Sequence, residues 1–219
     1  MTKKKQSWPI KAVMNQIYDM KLWGGKDFDF YSGDGSHHLE IINPYLEKTI
    51  SFLDSFKQPL VVCDLGCGDF NIGKHLTPYT KKYIAIDIVD TLINRNKTLF
   101  KSDNLEFYCL DIIKDELPPA DCIILRQVLQ HLSNAEIKSI LKKLHDYKYI
   151  TLTEHIPLGD FIPNKDIISG QGIRLKQNSG VDLLKPPFNL KINYVKHLAT
   201  YYLERPTKSQ IITILYQLP

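Results

Sequence analysis

Leu60-Val61-Val62-Cys63-Asp64-Leu65-Gly66-Cys67-Gly68-Asp69 is the run that decides the fold. Its apolar first part, Leu60 to Cys63, reads as a buried strand. Asp64 then opens a turn that contains Gly66 and Gly68, and a helix-like stretch follows. Strand, glycine loop and helix in this order bring backbone close to a ligand. The spacing departs from a dinucleotide fingerprint, which calls for a third glycine at position 71. Here that position is Asn71, and the next glycine is Gly73. Asp64 and Asp69 in the loop repel a pyrophosphate and suit a ligand that carries positive charge.

The next two apolar runs repeat the pattern. Lys82 to Ile86 is a strand that runs into Asp87, about 20 residues beyond the glycine loop, where an acidic side chain in such folds binds ribose hydroxyls. Leu105 to Leu110 is a third strand and runs into Asp111. Any one of these aspartates reads equally well as a turn residue or a helix N-cap. Three at successive strand ends, one of them in a glycine loop, point to a ligand at the carboxyl edge of a parallel sheet.

With those residues in hand, the chain resembles the class I S-adenosylmethionine-dependent methyltransferases over roughly residues 58–219. Asp64-Leu-Gly-Cys-Gly-Asp69 is similar to that family's first motif. Asp121-Cys-Ile-Ile-Leu-Arg-Gln-Val-Leu-Gln-His131 is similar to its fourth strand and the segment that passes under the methionine moiety. The resemblance implies S-adenosyl-L-methionine as cofactor. It assigns Asp87 to the ribose and Asp111 to the adenine amino group. It places Asp64, Gly66, Gly68, Ile88, Ile112 and Gln127 around the same ligand. It fits the charge argument, since that cofactor carries an ammonium and a sulfonium.

Length and composition bound the answer. The chain has 219 residues, enough for one full core, with 43% hydrophobic and 24% charged residues and a formal net charge of +4. Part of the excess sits in Lys3, Lys4 and Lys5, read as a solvated tail. No apolar stretch approaches the roughly 20 residues that span a bilayer, and no signal-peptide pattern is present, so a cytoplasmic protein is expected. The four cysteines, Cys63, Cys67, Cys109 and Cys122, lie in or beside expected core strands and read as buried free thiols rather than a metal site.

Helical spacing of Ile10, Val13, Met14, Ile17 and Tyr18 predicts a helix over residues 8–22 that starts near Pro9 and is ended by Gly24-Gly25. Ser32 to Ser36 reads as an irregular loop, and a second helix is expected over about 39–57. Strands and helices then alternate from 60 to 154, with a capping box at Ser133 and Glu136 and a fifth strand over Lys148 to Thr153. Residues 156–190 are rich in proline and glycine. Two last apolar runs about a Pro206 turn read as a closing antiparallel hairpin. The expected fold is therefore α/β: a Rossmann-like, mostly parallel methyltransferase sheet over residues 58–219, behind an N-terminal helical lid over residues 1–57.

On the acceptor side, the late loop leaves the carboxyl edge and is expected to wall the active site. Arg174 in it is a candidate anchor for phosphate or carboxylate. Tyr18 and Trp23 belong to the expected lid and are candidate acceptor contacts. Gln127 and Gln130 are candidates for cofactor or acceptor contact. Methyl transfer needs a general base only when the nucleophile must shed a proton. His131 and His155, expected just past strands four and five, are the candidate bases, with His131 placed first. The residues after strand four read Leu125-Arg-Gln-Val128, not the Asn-Pro-Pro-Tyr signature of the family's amino-methylating members. O-methylation of a small molecule, with a sugar or cell-surface polysaccharide precursor in view, is thus the favoured reading. An RNA methyltransferase is disfavoured by the modest charge and the lack of a basic stripe. A non-catalytic cofactor-binding module and a nicotinamide oxidoreductase are the remaining rivals, the latter opposed by Asn71. The oligomeric state is not legible.

Overall fold

The computed structural model of the protein describes residues 8–204 and 208–219. The lysines at 3–5 and the Pro206 turn lie outside the described residues. Seven strands form one sheet: β1 (Val61–Leu65), β2 (Lys82–Asp87), β3 (Leu105–Cys109), β4 (Cys122–Arg126), β5 (Tyr149–Pro157), β6 (Tyr194–Leu203) and β7 (Ser209–Gln217). Their order is β3-β2-β1-β4-β5-β7-β6. The first five pair in parallel, and β7 runs antiparallel between β5 and β6. The α/β class and the antiparallel closing pair agree with the sequence. The chain winds outward from β1 to β3, then returns past β1 to β4. This reversal opens a crevice at the carboxyl ends of β1 and β4.

Both faces of the central strands are buried, which is why these strands read as unbroken apolar runs. Alternate residues serve opposite faces. Cys63, Leu65, Ile84, Ile86, Ile123 and Leu125 pack against Ile137 and Ile140 of α5 (Asn134–Leu141). Val62, Tyr83, Ala85 and Ile124 pack against Ile42, Tyr45 and Leu53 of α2 (Leu39–Leu53). The capping box at Ser133 and Glu136 starts α5 as expected.

Several boundaries move. The first helix, α1 (Ile10–Asp19), ends well before Gly24. Lys21 adopts a left-handed φ of 50°, and the amides of Lys21 and Leu22 return to Tyr18 and Ile17, a termination that needs no glycine. Asp34–Ser36 is a short 3-10 turn rather than an irregular loop. Asp64 lies inside β1, not in the turn, because β1 pairs with β2 as far as Leu65. β5 runs on to Pro157, because β7 supplies a partner for every residue of it. Cys109 is exposed, since β3 is an edge strand. The second helix stops at Leu53, and its Ile42, Tyr45 and Leu53 pack into the sheet's own core. No helix among the described residues is long and apolar enough to cross a membrane.

Candidate active site

At the crevice lies a cavity of about 340 Å³. The glycine loop forms its floor. Gly66 and Gly68 have φ of 83° and 56°, where a side chain is strained. A Cβ on Gly66 would also collide with Val128, and one on Gly68 with Ser32. The amides of Gly66 and Cys67 bond to the Ile86 carbonyl at 2.8 and 2.9 Å, which folds the loop over the end of β2. There Asp87 accepts from the amides of Gly68 and Val89, both at 3.1 Å. Burial pushes the Asp87 carboxyl up, and these two amides pull it back toward the ionised form.

Asp64 is buried beside it and accepts from the Tyr83 hydroxyl at 2.8 Å. Burial raises its carboxyl to about 7, against the pull of that hydrogen bond. Asp111 sits at the far end, past β3, with its Oδ1 held by the Ile113 amide at 3.0 Å and Lys114 at 3.1 Å from Oδ2. Ile88, Leu110 and Ile112 give that end an apolar wall. The structure thus brings all three strand-end aspartates into one cavity. Asp69, which the sequence grouped with them, faces away. It accepts from the Ser32 amide at 2.9 Å, contacts His37 Nε2 at 2.6 Å, and so fastens the N-terminal segment to the glycine loop.

Tyr18, Trp23 and Ser32 to Ser36 cover the opposite side. The Tyr18 hydroxyl lies 3.0 Å from Ser32 Oγ, and Trp23 packs on Tyr18 and on His131 with ring centroids at 5.5 and 5.3 Å. His131 lines the cavity from a short turn after β4. Its tautomer follows from a chain of hydrogen bonds. The His155 amide donates to Gln130 Oε1 at 3.0 Å, so Gln130 Nε2 donates to His131 Nε2 at 3.3 Å. That leaves His131 Nδ1–H to donate to the Gly170 carbonyl at 3.1 Å. Burial lowers the ring to about 4, so it is neutral near pH 7.

Two expected site residues lie elsewhere. His155 is within β5, its Nε2 2.9 Å from Ser209 Oγ, and does not line the cavity. The longer strand turns a residue expected at a loop start into a ladder member. Arg174 is 1% exposed and points under the segment after β4. It donates to the carbonyls of Lys165, Leu129, Gln130 and Leu132 and to Asn134 Oδ1, at 2.7 to 3.3 Å. With its donors spent on backbone, it is a strut, not an anchor for substrate. The late loop does reach the cavity, through Gln171 and Ile173.

The sequence reading missed Arg126. It ends β4, is 9% exposed, and lines the cavity beside Gln127, whose φ of 57° turns the chain there. A permanent charge closing the apolar run Cys122 to Leu125 was the available signal.

Residues 63–147 match the methyltransferase domain family. Those residues carry a methyltransferase domain. No curated protein matches it in sequence. Among solved structures the methyltransferase is similar to the N-terminal domain of EvdMO1 with S-adenosylhomocysteine and D-fucose, at 13% identity and a TM-score of 0.59, over 99% of this chain and 100% of that one. It is also similar to magnesium protoporphyrin IX methyltransferase from Synechocystis PCC 6803 with bound S-adenosylmethionine (15% identity, TM-score 0.56, 98% and 100% covered). A third is N-methyltransferase NodS from Bradyrhizobium japonicum WM9 (11% identity, TM-score 0.57, 86% and 94% covered). At these identities the likeness is one of fold.

The cavity's own chemistry fits the cofactor of such domains. Two glycines clear the floor, and buried carboxylates at Asp64 and Asp87 suit an ammonium and ribose hydroxyls. Asp111 and the apolar wall around it suit an adenine ring.

Proposed function

We propose that this methyltransferase binds S-adenosyl-L-methionine in the cavity and methylates an oxygen of a small acceptor, a sugar or cell-surface polysaccharide precursor being the favoured class. One observation carries the reading: a single cavity joins the aspartate-lined end to a wall of Tyr18, Trp23 and His131. Asp64, Gly66, Gly68, Asp87, Ile88, Asp111, Ile112 and Gln127 would hold the cofactor. When bound, the cofactor supplies a methyl group already activated by its sulfonium. The protein's work is then alignment, exclusion of water and removal of a proton.

Tyr18 and Trp23 offer aromatic faces to an acceptor, and the N-terminal segment shields the cavity from solvent. His131 holds its Nε2 lone pair toward the neighbouring Gln130 amide. An acceptor hydroxyl entering beside Trp23 competes with that amide for the lone pair, and His131 then takes its proton. The reading of EvdMO1 with D-fucose as a fold relative agrees with a sugar-sized acceptor but does not name one.

Calorimetry on the purified protein tests the first step. Saturable binding of S-adenosylmethionine or S-adenosylhomocysteine, and none of NAD, is the expected result. Binding of NAD with no heat from either sulfur ligand would sink the proposal. Incubating the labelled methyl donor with a panel of small sugars and sugar nucleotides then tests the acceptor class.

A further inference from the structure

Glu154 is a buried acid that does not line the cavity. It lies within β5 and is 1% exposed. Among the described residues, no hydrogen-bond donor reaches either of its carboxyl oxygens. Its neighbours along the strand are partnered: Thr153 Oγ1 lies 2.9 Å from Thr213 Oγ1, and the His155 amide donates to Gln130 Oε1 at 3.0 Å. Three groups pull Glu154 toward its ionised form, the Arg174 guanidinium first and then the amides of Leu129 and Gln130. Burial outweighs them and raises the carboxyl to about 8.

These groups share one element, the turn that carries His131. Arg174 donates to the carbonyls immediately before and after His131, Gln130 at 3.3 Å and Leu132 at 2.7 Å, and to that of Leu129 at 3.2 Å. The turn thus has a cation at its carbonyls and an acid acting on its amides. Burial is the main cause of the weak basicity of His131, and the Arg174 charge adds to it. An ionised Glu154 balances that charge in a low-dielectric setting, where such effects are large. Asp166 also acts on Arg174, but it is exposed and its Oδ1 accepts from the amides of Asn134 and Ile167. On β7, Tyr216 is the further titratable group in range. Burial first, then Asp182 and Glu154, push its hydroxyl up, so it stays neutral as Glu154 titrates.

We infer that Glu154 is a positioning residue for His131: through Arg174 it sets the strength of the base, weak while Glu154 carries its proton and stronger once Glu154 is ionised. The inference rests on the proposed role of His131 as the base.

Histidine ring nitrogens labelled with 15N report this coupling by NMR with no acceptor present. The protein is titrated from about pH 6 to 10, a range that spans the Glu154 value of about 8, and His131 is assigned with His131→Asn. His131 itself stays neutral throughout, so an inflection in its ring shifts reports a neighbour. The wild type is expected to show an inflection near pH 8. Glu154→Gln, uncharged and of the same shape, is expected to lose it, and Glu154→Asp, which keeps the acid, to retain one. An inflection absent from the wild type, absent from Glu154→Asp, or persisting in Glu154→Gln overturns the inference. A Glu154→Gln variant with a lower thermal midpoint but the wild-type titration curve marks the residue as merely structural, which also overturns it. Full turnover by His131→Asn overturns the base reading instead and leaves the titration result standing, so the two failures are distinct.

Discussion

Two regions of this molecule each bury an arginine at the carboxyl edge of the sheet, and they use it in opposite ways. In the late loop, Arg174 donates to four carbonyls and to Asn134 and lies outside the cavity. At the end of β4, Arg126 keeps an unpartnered Nε and lines the cavity. Both are cations near the carboxyl edge of the sheet, and sequence position alone favours Arg174, which sits among prolines and glycines. What separates them is the supply of acceptors. The turn after β4 exposes the carbonyls of Leu129, Gln130 and Leu132 on the side that Arg174 approaches. The strand end at Arg126 offers only one carbonyl and two neutral side-chain oxygens. The two buried arginines therefore differ in what folding leaves unbonded.

The largest expected effect tests the structural half of that contrast. Arg174→Met strips the partners from several buried carbonyls, and is expected to cost about 3–5 kcal/mol of stability. At this chain length that lowers the thermal midpoint by roughly 6–20 °C. Arg126→Met replaces a half-satisfied cation by an apolar side chain of similar length and is expected to move the midpoint far less. Equal losses in the two variants would break the comparison.

His131 sits where the two regions meet, on the turn after β4 and bonded to Gly170 of the late loop. His131→Asn is expected to lower turnover roughly 100-fold with cofactor affinity retained, the scale of a general base. His155→Asn removes a contact to Ser209 outside the cavity and is expected to change turnover much less. The reverse ranking in a steady-state assay would move the chemistry from the end of β4 to β5.

The smallest effect concerns Asp64, the buried carboxyl that shares the cavity with Arg126. Burial raises its carboxyl to about 7, above its unfolded value near 4. The proton is therefore retained in the ligand-free fold below about pH 7, and this group's contribution to stability is lost as pH rises from about 4 through 7. A cationic ligand favours the ionised form. S-adenosylhomocysteine affinity is expected to rise by up to about tenfold from pH 6 to 8, with proton release on binding. Asp64→Asn should flatten that profile. A wild-type affinity independent of pH over this window, measured by calorimetry in two buffers, counts against an ammonium at Asp64.

The aspartate-lined end of the cavity was the legible part. Gly66, Gly68, Asp87 and Asp111 follow buried strands closely, and a parallel sheet brings successive strand ends together whatever the loops between them do. Asp64 lines the cavity, but strand pairing to Leu65 takes it into the sheet and out of the expected turn. The acceptor end was legible only in part. Tyr18, Trp23 and His131 do reach the cavity, but nothing local in Arg174 or His155 says which way each side chain turns.

By itself, then, the sequence determined the α/β class, the strand-end aspartates and the glycine loop. All three follow from short-range pattern: apolar runs, glycine spacing and the residue that closes each strand. Only the tertiary structure decided that Asp69 fastens the N-terminal segment, that His155 belongs to a β5 lengthened by β7, and that Arg126 rather than Arg174 faces the cavity. Each of those depends on hydrogen-bond partners many residues away in the chain. Whether a buried polar group is satisfied by backbone or left for a ligand is a property of the partners that folding brings to it.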